Sequence, residues 1–421
     1  MLLTGLDRLL ADAGRLAGRR YGLLAHAASL TAGCEPAHLA LAASGVVAPA
    51  VLFGPEHGLH GAEQDMVPAA GGREPWTGVP VRSLYGESAE SLRPEPGAFE
   101  GLDLLVVDLQ DVGARWYTYA ATAVWAAEAA LAAGCEVWVL DRPNPLGGEV
   151  VEGNLPAAGM ESFVGAFRLP VRHGLTLGEL VRLEAGRRGW ADGAVGVWEV
   201  AGWLRGERWG DAARWRRPWP VPSPNMPSVA TALVYPGTCL VEATEVSEGR
   251  GTARPFEQVG APWVDPVGLA GRLGERGLPG VRFVPVYFRP QSHKHAGELC
   301  GGVALAVTDG AAFEPYRTGV ELLAALRASS PGDFAWRRRP YEFEVDRPAI
   351  DLLTGGEECR RAVDSADRAA LEAWIGSWTA DEAAFRDERR PALLYPGAAG
   401  DDGGGAGVAG DGGAGGDGGA A

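Results

Sequence analysis

Short apolar segments alternate with helical segments along the first 140 residues, and this alternation constrains the fold more than any other feature. The apolar segments are residues 21–25, 48–53, 81–85, 102–109 and 136–140, with helical patterns at about 36–44 and 117–133. Strands that are apolar on both faces are typical of parallel sheets covered on both sides by helices. The sequence therefore predicts an α/β fold.

Polar or Gly/Pro-rich loops follow these strands directly. His26 follows the first strand, residues 54–61 follow the second, and residues 110–115 and 141–145 follow later ones. Ligands bind at the carboxyl ends of the strands in open α/β sheets. We therefore expect these loops to form one binding site at a single edge of the sheet.

The pattern changes at about residue 260. Strands are predicted at 281–288 and 302–307, and helices at about 315–327 and 364–389, which is typical of a smaller α+β domain. We divide the chain into a first domain at 1–255, a second at 256–396 and a tail at 397–421. The tail is nearly all Gly, Ala and Asp and is predicted to be disordered.

Charge and composition restrict the partners. The formal net charge is -16, so a nucleic-acid or anionic-membrane surface is not expected. The N-terminus lacks a basic segment followed by an apolar one, and no apolar run approaches the roughly 20 residues that cross a bilayer. We therefore predict a cytoplasmic protein. Its five widely spaced cysteines include no C-x-x-C pair, so neither disulfides nor a zinc knuckle are expected.

Several common site types lack their motifs. Lys294 is the single lysine and no phosphate-binding G-x-x-x-x-G-K-[ST] loop is present, nor are G-x-S-x-G and H-E-x-x-H, and no G-x-G-x-x-G follows the first strand. Lys294 lies in a polar segment between His293 and His295, which favours a polar loop over a Schiff base. The two histidines have no third ligand at a recognisable spacing. We expect neither a cofactor nor a metal.

Carboxylates in loops are the remaining candidates. Glu56 leaves an apolar strand within Gly54-Pro55-Glu56-His57-Gly58, where partial desolvation would favour a general acid. A helix cap or an arginine pair is the alternative role. Residues 108–119 supply two acids, Arg115 and three aromatic residues, a composition that suits a sugar. Core packing is the alternative for Trp116, Tyr117 and Tyr119.

Together these loops resemble the NamZ-type exo-β-N-acetylmuramidases. The matching segments are residues 52–59, 108–119, 140–148, 222–227, 235–240 and 247–252, and the similarity runs from about 20 to about 396. The resemblance implies a Rossmann-like catalytic domain with an auxiliary C-terminal domain. It implies release of N-acetylmuramic acid from the non-reducing end of peptidoglycan fragments, with Glu56 as the catalytic glutamate. One departure is His26, where many relatives have asparagine.

The resemblance suggests roles for the remaining candidates. We expect Glu56 to protonate the glycosidic oxygen, and His57 to orient the Glu56 carboxyl or to tune its pKa. Asp111 is the first candidate for a second carboxylate, with Glu248 and Glu63 as alternatives, and the N-acetyl group of the substrate is a further alternative.

The substrate is expected to be a small glycan, either a muropeptide or a disaccharide that contains N-acetylmuramic acid. Arg115 or Arg250 would bind its lactyl carboxylate. The other expected sugar contacts are His26, Tyr117, Tyr119, Asn144, His173, Asn225 and Glu248.

Two other classes of function remain open at this point. One is a muropeptide-binding protein without catalytic activity. The other is a metal-dependent hydrolase that uses His57, His60 and Asp65.

Overall fold

The computed structural model describes residues 2–211, 215 and 217–397. Its larger sheet has seven strands, namely β1 (Tyr21–Ala25), β2 (Val51–Gly54), β3 (Gly72–Arg73), β4 (Pro80–Ser83), β5 (Leu104–Asp108), β6 (Glu136–Leu140) and β7 (Val195–Trp198). Their order is β3-β4-β2-β1-β5-β6-β7. All neighbouring strands are parallel except β3 and β4. The predicted α/β fold, with a smaller second domain, is confirmed.

The strand order reverses beside β1. The chain passes from β1 to β2 and β4 on one side, and then returns to place β5 on the other side of β1. Open α/β sheets bind ligands at this kind of reversal, outside the carboxyl ends of the strands. The loops that follow β1 and β5 carry His26 and Gln110, so this sheet edge is where a site is expected.

Helices cover both faces of the larger sheet because its central strands are buried on both faces. On one face, α1 (Gly5–Ala11) and α2 (Ala37–Ala43) pack with Leu23, Leu52 and Val106. The other face packs against α3 (Tyr119–Ala132) and α4 (Leu177–Arg188). Nearly all of α3 is apolar and buried, which is typical of a helix enclosed within a core.

The second part of the chain is built on a three-stranded antiparallel sheet. Its strands are β8 (Gln258–Ala261), β9 (Val281–Phe288) and β10 (Cys300–Val307), in the order β8-β10-β9. The helices of this half are α5 (Val229–Thr238), α6 (Pro266–Gly274), α7 (Pro315–Ser329), α8 (Ala349–Thr354), α9 (Glu358–Ser365) and α10 (Arg368–Arg389). One hydrophobic core runs from the larger sheet into this part.

Two features differ from the sequence predictions or lie outside what the structure describes. The helix predicted at about 364–389 is present as α10, which begins at Arg368, whereas the preceding helix α9 was not predicted. Ala366 between them has a left-handed φ of 53°, and the Asp367 side chain accepts hydrogen bonds from the first amides of α10. Of the predicted tail, residues 398–421 lie outside the described residues. None of the described helices combines the length and apolar character needed to cross a bilayer.

Candidate active site

A small cavity lies where the loop after β2 meets the start of α3. Its volume is about 50 Å³, and a cavity of about 220 Å³ adjoins it. Six predicted site residues line the smaller cavity, namely Glu56, His57, Tyr117, Tyr119, Asn225 and Arg250. The other predicted residues lie outside its wall, namely His26, Asp111, Arg115, Asn144, His173 and Glu248, of which Glu248 lines the adjoining cavity.

The loop after β2 turns sharply to bring Glu56 to the cavity. The amide of Gly58 donates to the carbonyl of Pro55 at 2.9 Å, and both His57 and Gly58 have left-handed φ angles, of 69° and 76°. A Cβ on Gly54 would lie 2.8 Å from the amide nitrogen of Leu59, so the returning chain requires a glycine at this position. The Gly-flanked sequence thus creates the turn that carries the candidate acid.

Glu56 is buried and is oriented by a hydroxyl group. Its Oε2 accepts a hydrogen bond from Thr118 Oγ1 at 2.7 Å. Thr118 is the residue that precedes α3. Within the described chain no arginine, lysine or histidine forms an ion pair with Glu56, nor does its carboxylate cap a helix. The geometry therefore leaves the Glu56 carboxyl available to a ligand.

His57 stabilises the same loop. Its Nδ1 lies 2.9 Å from the carbonyl oxygen of Glu63, which can accept the ring proton. The imidazole is buried and lines the cavity beside Glu56. Glu63 contributes its backbone to this contact, and its side chain is absent from the cavity wall.

His26 connects three segments beneath the cavity. Its Nε2 accepts a hydrogen bond from the Gln110 amide at 2.9 Å, so Nδ1 carries the proton and donates to the Pro222 carbonyl at 3.2 Å. Burial, together with the charge of Arg142, lowers the pKa of His26 to about 3. Tyr119 Oη donates to the same carbonyl at 2.8 Å. His26 is therefore a neutral connector between loops and makes no direct contact with the cavity.

Aromatic rings form one wall of the cavity. Tyr117 and Tyr119 pack edge to face with ring centroids 4.8 Å apart, and Tyr235 lies 6.1 Å from Tyr117 and 5.0 Å from Phe256. The buried Tyr117 hydroxyl interacts with the side chains of Ser223 and Tyr119. All three residues line the cavity, so this wall presents polar as well as aromatic groups to a ligand.

Arg250 lies among carboxylates on the opposite wall. Its Nη2 is 2.6 Å from Glu242 Oε1, and its Nη1 is 3.1 Å from Asp65 Oδ1. These charges raise the pKa of Arg250 well above its usual value despite burial. Glu242 also accepts a hydrogen bond from Tyr341 Oη at 2.6 Å.

Glu248 is paired with the single lysine at the edge of the adjoining cavity. Lys294 Nζ donates to Glu248 Oε2 at 2.8 Å and to the carbonyls of Val241, Glu242 and Val246. Burial opposes ionisation of Glu248, but Lys294 and Arg250 outweigh it and lower its pKa. Lys294 thus holds the segment that carries Glu242 and Glu248, and its ammonium is fully engaged.

Arg115 lies outside the cavity, in a position that does not fit lactyl recognition. Its guanidinium donates to the carbonyl oxygens of Asn154, Leu169 and Leu353 at 2.7–2.8 Å. Burial lowers its pKa to about 10. Its contacts join distant segments of the fold, and Arg250 is the one of the two predicted arginines that faces the cavity.

Asp111 and His173 form a buried pair away from the cavity wall. His173 Nδ1 accepts from the Leu175 amide at 3.1 Å, so its protonated Nε2 faces Asp111 Oδ2 at 3.8 Å. Burial raises the pKa of Asp111 to about 7 and lowers that of His173 to about 3. Asp111 Oδ2 also accepts from the Gly113 amide at 2.6 Å.

The two predicted asparagines have different surroundings. Asn144 uses its side-chain amide within a turn, because Nδ2 donates to the Leu175 carbonyl and Oδ1 accepts from the Leu146 amide, each at 2.9 Å. Asn225 lines the cavity, and its Nδ2 donates to Gln64 Oε1 at 2.9 Å. Of the two, Asn225 is positioned to contact a ligand.

The three residues suggested for a metal-dependent hydrolase, His57, His60 and Asp65, contact different partners. His57 contacts the Glu63 carbonyl, His60 packs against the Trp76 ring at 5.6 Å, and Asp65 pairs with Arg250. The described chain holds no cluster of three or more histidine, cysteine or acidic side chains with the geometry of a metal site.

Several residues of the cavity were not predicted from the sequence, among them Thr118, Glu242, Tyr341 and Glu342. Thr118 lies within the recognised segment 108–119, and Glu242 lies between two recognised segments. Tyr341 and Glu342 come from a stretch with no motif, about 90 residues beyond the last recognised segment. Only Thr118 had a usable signal, its position at the start of a predicted helix.

Comparison with known proteins gives a consistent result along the whole chain. Residues 21–230 match the family model described as exo-beta-N-acetylmuramidase NamZ, N-terminal, and residues 233–395 match the C-terminal model of the same family. The chain is 37% identical over 393 residues to the peptidoglycan beta-N-acetylmuramidase NamZ of Bacillus subtilis (strain 168), covering 93% of this chain and 91% of that protein.

Solved structures of two DUF1343 family proteins from Bacteroides fragilis NCTC 9343 have the same fold. One aligns with a TM-score of 0.82 and 28% identity over 94% of this chain and 99% of its own. The other aligns with a TM-score of 0.71 and 26% identity over 94% of this chain and 100% of its own. Because two family models together match nearly all of residues 21–395, the chain belongs to the NamZ exo-β-N-acetylmuramidase family.

Proposed function

We propose that this protein is a peptidoglycan β-N-acetylmuramidase that releases N-acetylmuramic acid from the non-reducing end of peptidoglycan fragments, with Glu56 as the general acid. The observation that carries the proposal is the buried Glu56 carboxyl, which lines a cavity and is bonded by the Thr118 hydroxyl rather than by a cation. Membership of the family and the named activity of the Bacillus subtilis relative support it.

The chemistry requires a proton donor at the glycosidic oxygen. Glu56 transfers its proton to that oxygen as the bond to C1 of the muramic acid breaks. Water then adds to C1, either directly or after attack by the substrate's own N-acetyl oxygen, and returns a proton to Glu56. Thr118 orients the carboxyl, and His57 acts on it indirectly by stabilising the loop.

The small size of the two cavities favours action at a chain end. Cavities of about 50 and 220 Å³ share four lining residues, Asp65, Glu242, Arg250 and Tyr341. Together they remain below the roughly 300 Å³ at which typical ligand pockets begin. This volume suits one terminal sugar better than an internal segment of a glycan chain.

Recognition of the lactyl carboxylate is assigned to Arg250 and its surroundings. Arg250 is the cation on the wall of the Glu56 cavity, and Arg337 and Arg339 line the adjoining cavity. Because Glu242 and Asp65 already contact Arg250, the substrate carboxylate would share this guanidinium with them. Tyr117, Tyr119 and Asn225 are assigned to the sugar ring and its polar substituents.

A comparison of two chromogenic sugars tests this function. The wild type is expected to cleave a β-N-acetylmuraminide and to leave the matching β-N-acetylglucosaminide, which lacks only the lactyl group, essentially intact. Equal cleavage of both would refute lactyl recognition. Tight binding of the muraminide without any cleavage would instead support the binding-protein alternative.

A second substrate pair tests exo action. A disaccharide with N-acetylmuramic acid at its non-reducing end should be cleaved, while the same disaccharide capped there by a further N-acetylglucosamine should not. Cleavage of the capped trisaccharide would show that the enzyme acts within chains.

A further inference from the structure

A two-residue turn from the second half of the chain covers the Glu56 cavity. The amide of Tyr341 donates to the Glu344 carbonyl at 3.1 Å, and the amide of Glu344 donates to the Tyr341 carbonyl at 3.0 Å. Glu342 and Phe343 form the tip, with φ angles of 48° and 66°. Turns of this kind normally use Asn or Gly because both central residues have positive φ.

The side-chain contacts of this turn explain why Glu342 and Phe343, rather than Asn or Gly, occupy its two positions with positive φ. Glu342 lines the Glu56 cavity, and Tyr85 Oη donates to Glu342 Oε2 at 3.4 Å. Phe343 packs against the ring of Tyr85, and Tyr341 Oη donates to Glu242. Strained backbone persists where its surroundings fix it, and such positions concentrate at functional sites.

The charges around Glu342 are mainly carboxylates. Burial of its carboxyl raises the pKa of Glu342 well above the usual value, and Glu56, Glu242 and Asp65 raise it further. Glu242 and Asp65 are paired with Arg250. Glu56 and Glu342 are therefore the two carboxyls of this cavity that form no ion pair within the described chain.

The other ionisable groups that face the turn come from several elements. On its two sides these are Glu56, His57, Asp65, Tyr85, Arg93, Tyr117, Tyr119, Glu161, Tyr235, Glu242, Arg250, Arg337, Tyr341, Glu344 and Arg347. Among the cations, Arg250 is paired with Glu242 and Asp65, and Arg347 is paired with Glu344. Arg93 lies over the Trp125 ring. None of these cations forms an ion pair with Glu342.

We propose that Glu342 is the second carboxyl group of the active site and works as a pair with Glu56. The proposal rests on the proposed glycosidase function. Two carboxyls that share a cavity do not both ionise readily, and we therefore assign one shared proton to the pair. That proton passes to the glycosidic oxygen as the bond to C1 breaks. The resulting carboxylate charge stabilises the positive charge at C1, and the attacking water returns a proton to the pair.

Glu342 lies on a turn of the C-terminal region and would be the second carboxyl group. The sequence had suggested Asp111, Glu248 and Glu63 for this role. Asp111 and Glu63 are absent from both cavity walls, and Glu248 is paired with Lys294. The turn also closes the cavity above Glu56, since Tyr341 and Glu342 both line it.

The test is the pH dependence of muraminide cleavage by Glu342→Gln, Glu342→Asp and wild type. Glu342→Gln is expected to lower kcat by about 100-fold, a typical loss for a group that takes part in proton transfer. It should also move the alkaline limb of the kcat/KM profile to lower pH by about one unit or more, because the shared proton is no longer retained. Glu342→Asp keeps a carboxyl and should restore the alkaline limb, at least in part.

Glu344→Gln is the matched control. Glu344 lies two residues away on the same turn, but its carboxylate contacts Arg347 and is absent from the Glu56 cavity. It should leave both kcat and the pH profile unchanged. A wild-type rate in Glu342→Gln, or a lower rate with an unmoved alkaline limb, would overturn the proposal. If Glu342→Gln does not fold, Glu342→Ala takes its place. A folded Glu342→Ala with the wild-type rate and an unchanged alkaline limb would also overturn the proposal.

These outcomes are distinct from failure of the proposed function. If the wild type does not cleave the muraminide, the function is wrong. If the wild type cleaves it and Glu342→Gln behaves as the wild type, only the assignment of Glu342 fails.

Discussion

At the scale of residues, the proposed catalysis depends on how the Glu56 carboxyl is held. The Thr118 hydroxyl is the one side-chain donor to the Glu56 carboxyl among the described residues, at 2.7 Å. Thr118 also precedes α3, so the position of the hydroxyl is fixed by the helix that packs against the larger sheet. Loss of this hydroxyl would leave the carboxyl free to rotate without removing any part of the core.

Thr118→Val should therefore impair catalysis much more than stability. The two side chains have nearly the same shape, but valine cannot donate to Glu56. We expect kcat to fall by roughly 10-fold, since a hydrogen bond to a charged or reacting group contributes about 1.5 kcal/mol or more. Thr118→Ser retains the hydroxyl and should keep most of the activity. Equal rates for the valine and serine variants would show that this hydrogen bond has no catalytic role.

The sequence identified some of these residues and missed others for a physical reason. Glu56 and His57 follow the end of β2, and residues 116–119 lead from the loop after β5 into α3. The topology brings such loops together, so the position of these residues near one another was predictable. His26 and Asp111 also lie at strand ends, but they are enclosed by neighbouring loops. Whether a strand-end side chain reaches the cavity depends on the path of adjacent loops, which single-sequence patterns do not give.

At the scale of elements, the strands and helices that form the larger sheet were largely predictable because apolar strands and Ala-rich helices have strong patterns. The turn at 341–344 was not, because Glu-Phe at its tip gives none of the Gly or Asn signals that such turns normally show. The helix α5 was also missed. It contains Pro236 near its end, and a proline predicts a helix break.

The contact between α5 and α7 gives a prediction at this scale. Gly237 and Gly319 let the two backbones approach closely, because a Cβ on Gly237 would lie 1.9 Å from the Pro315 carbonyl oxygen. Gly237→Ala should therefore separate the helices and destabilise the fold by about 3 kcal/mol, the upper part of the range for overpacking. Urea unfolding measures this difference.

Gly271→Ala on α6 is the control for helix propensity. A Cβ at Gly271 meets no atom within 4 Å, so this change should stabilise the protein slightly, by up to about 1 kcal/mol. If Gly237→Ala were as stable as Gly271→Ala, the described approach of α5 and α7 would be incorrect.

At the scale of the whole molecule, one core and one cavity join the two halves of the chain. The core runs from the larger sheet to α7 and α10, and the cavity is closed by Tyr341 and Glu342. The predicted division at residues 255 and 256 remains a prediction, as does the cytoplasmic location, which cell fractionation would test. What no local pattern predicts is that the C-terminal region completes the Glu56 site.

Two buried ionisable groups, His173 and Asp111, make the free energy of unfolding depend on pH in opposite directions. His173 has a folded-state pKa of about 3, below its unfolded value, so the unfolded chain binds more protons as pH falls below about 6.5 and stability decreases. Asp111 has a folded-state pKa of about 7, above its unfolded value, so its contribution is lost as pH rises toward 7.

Two variants separate these effects. His173→Asn keeps an acceptor for the Leu175 amide. Between pH 7 and pH 5 the free energy of unfolding of the wild type should fall by about 2 kcal/mol because of His173, which is the effect of binding one proton over about 1.5 pH units. The variant should lack this loss. Asp111→Asn should make the fall in the free energy of unfolding between pH 7 and pH 5 larger by about 2 kcal/mol. Urea unfolding at the two pH values checks both. Shifts of the same sign in the two variants would contradict the assigned protonation states.

The proposed function requires Glu56 to supply the proton for muraminide cleavage, and this requirement can be tested by the turnover of one defined substrate. The measurement is release of N-acetylmuramic acid from a disaccharide with that sugar at its non-reducing end, by wild type and by Glu56→Gln of matched thermal stability. We predict release by the wild type and a loss of at least about 100-fold in kcat for the variant. A variant that releases the sugar at the wild-type rate would contradict the account.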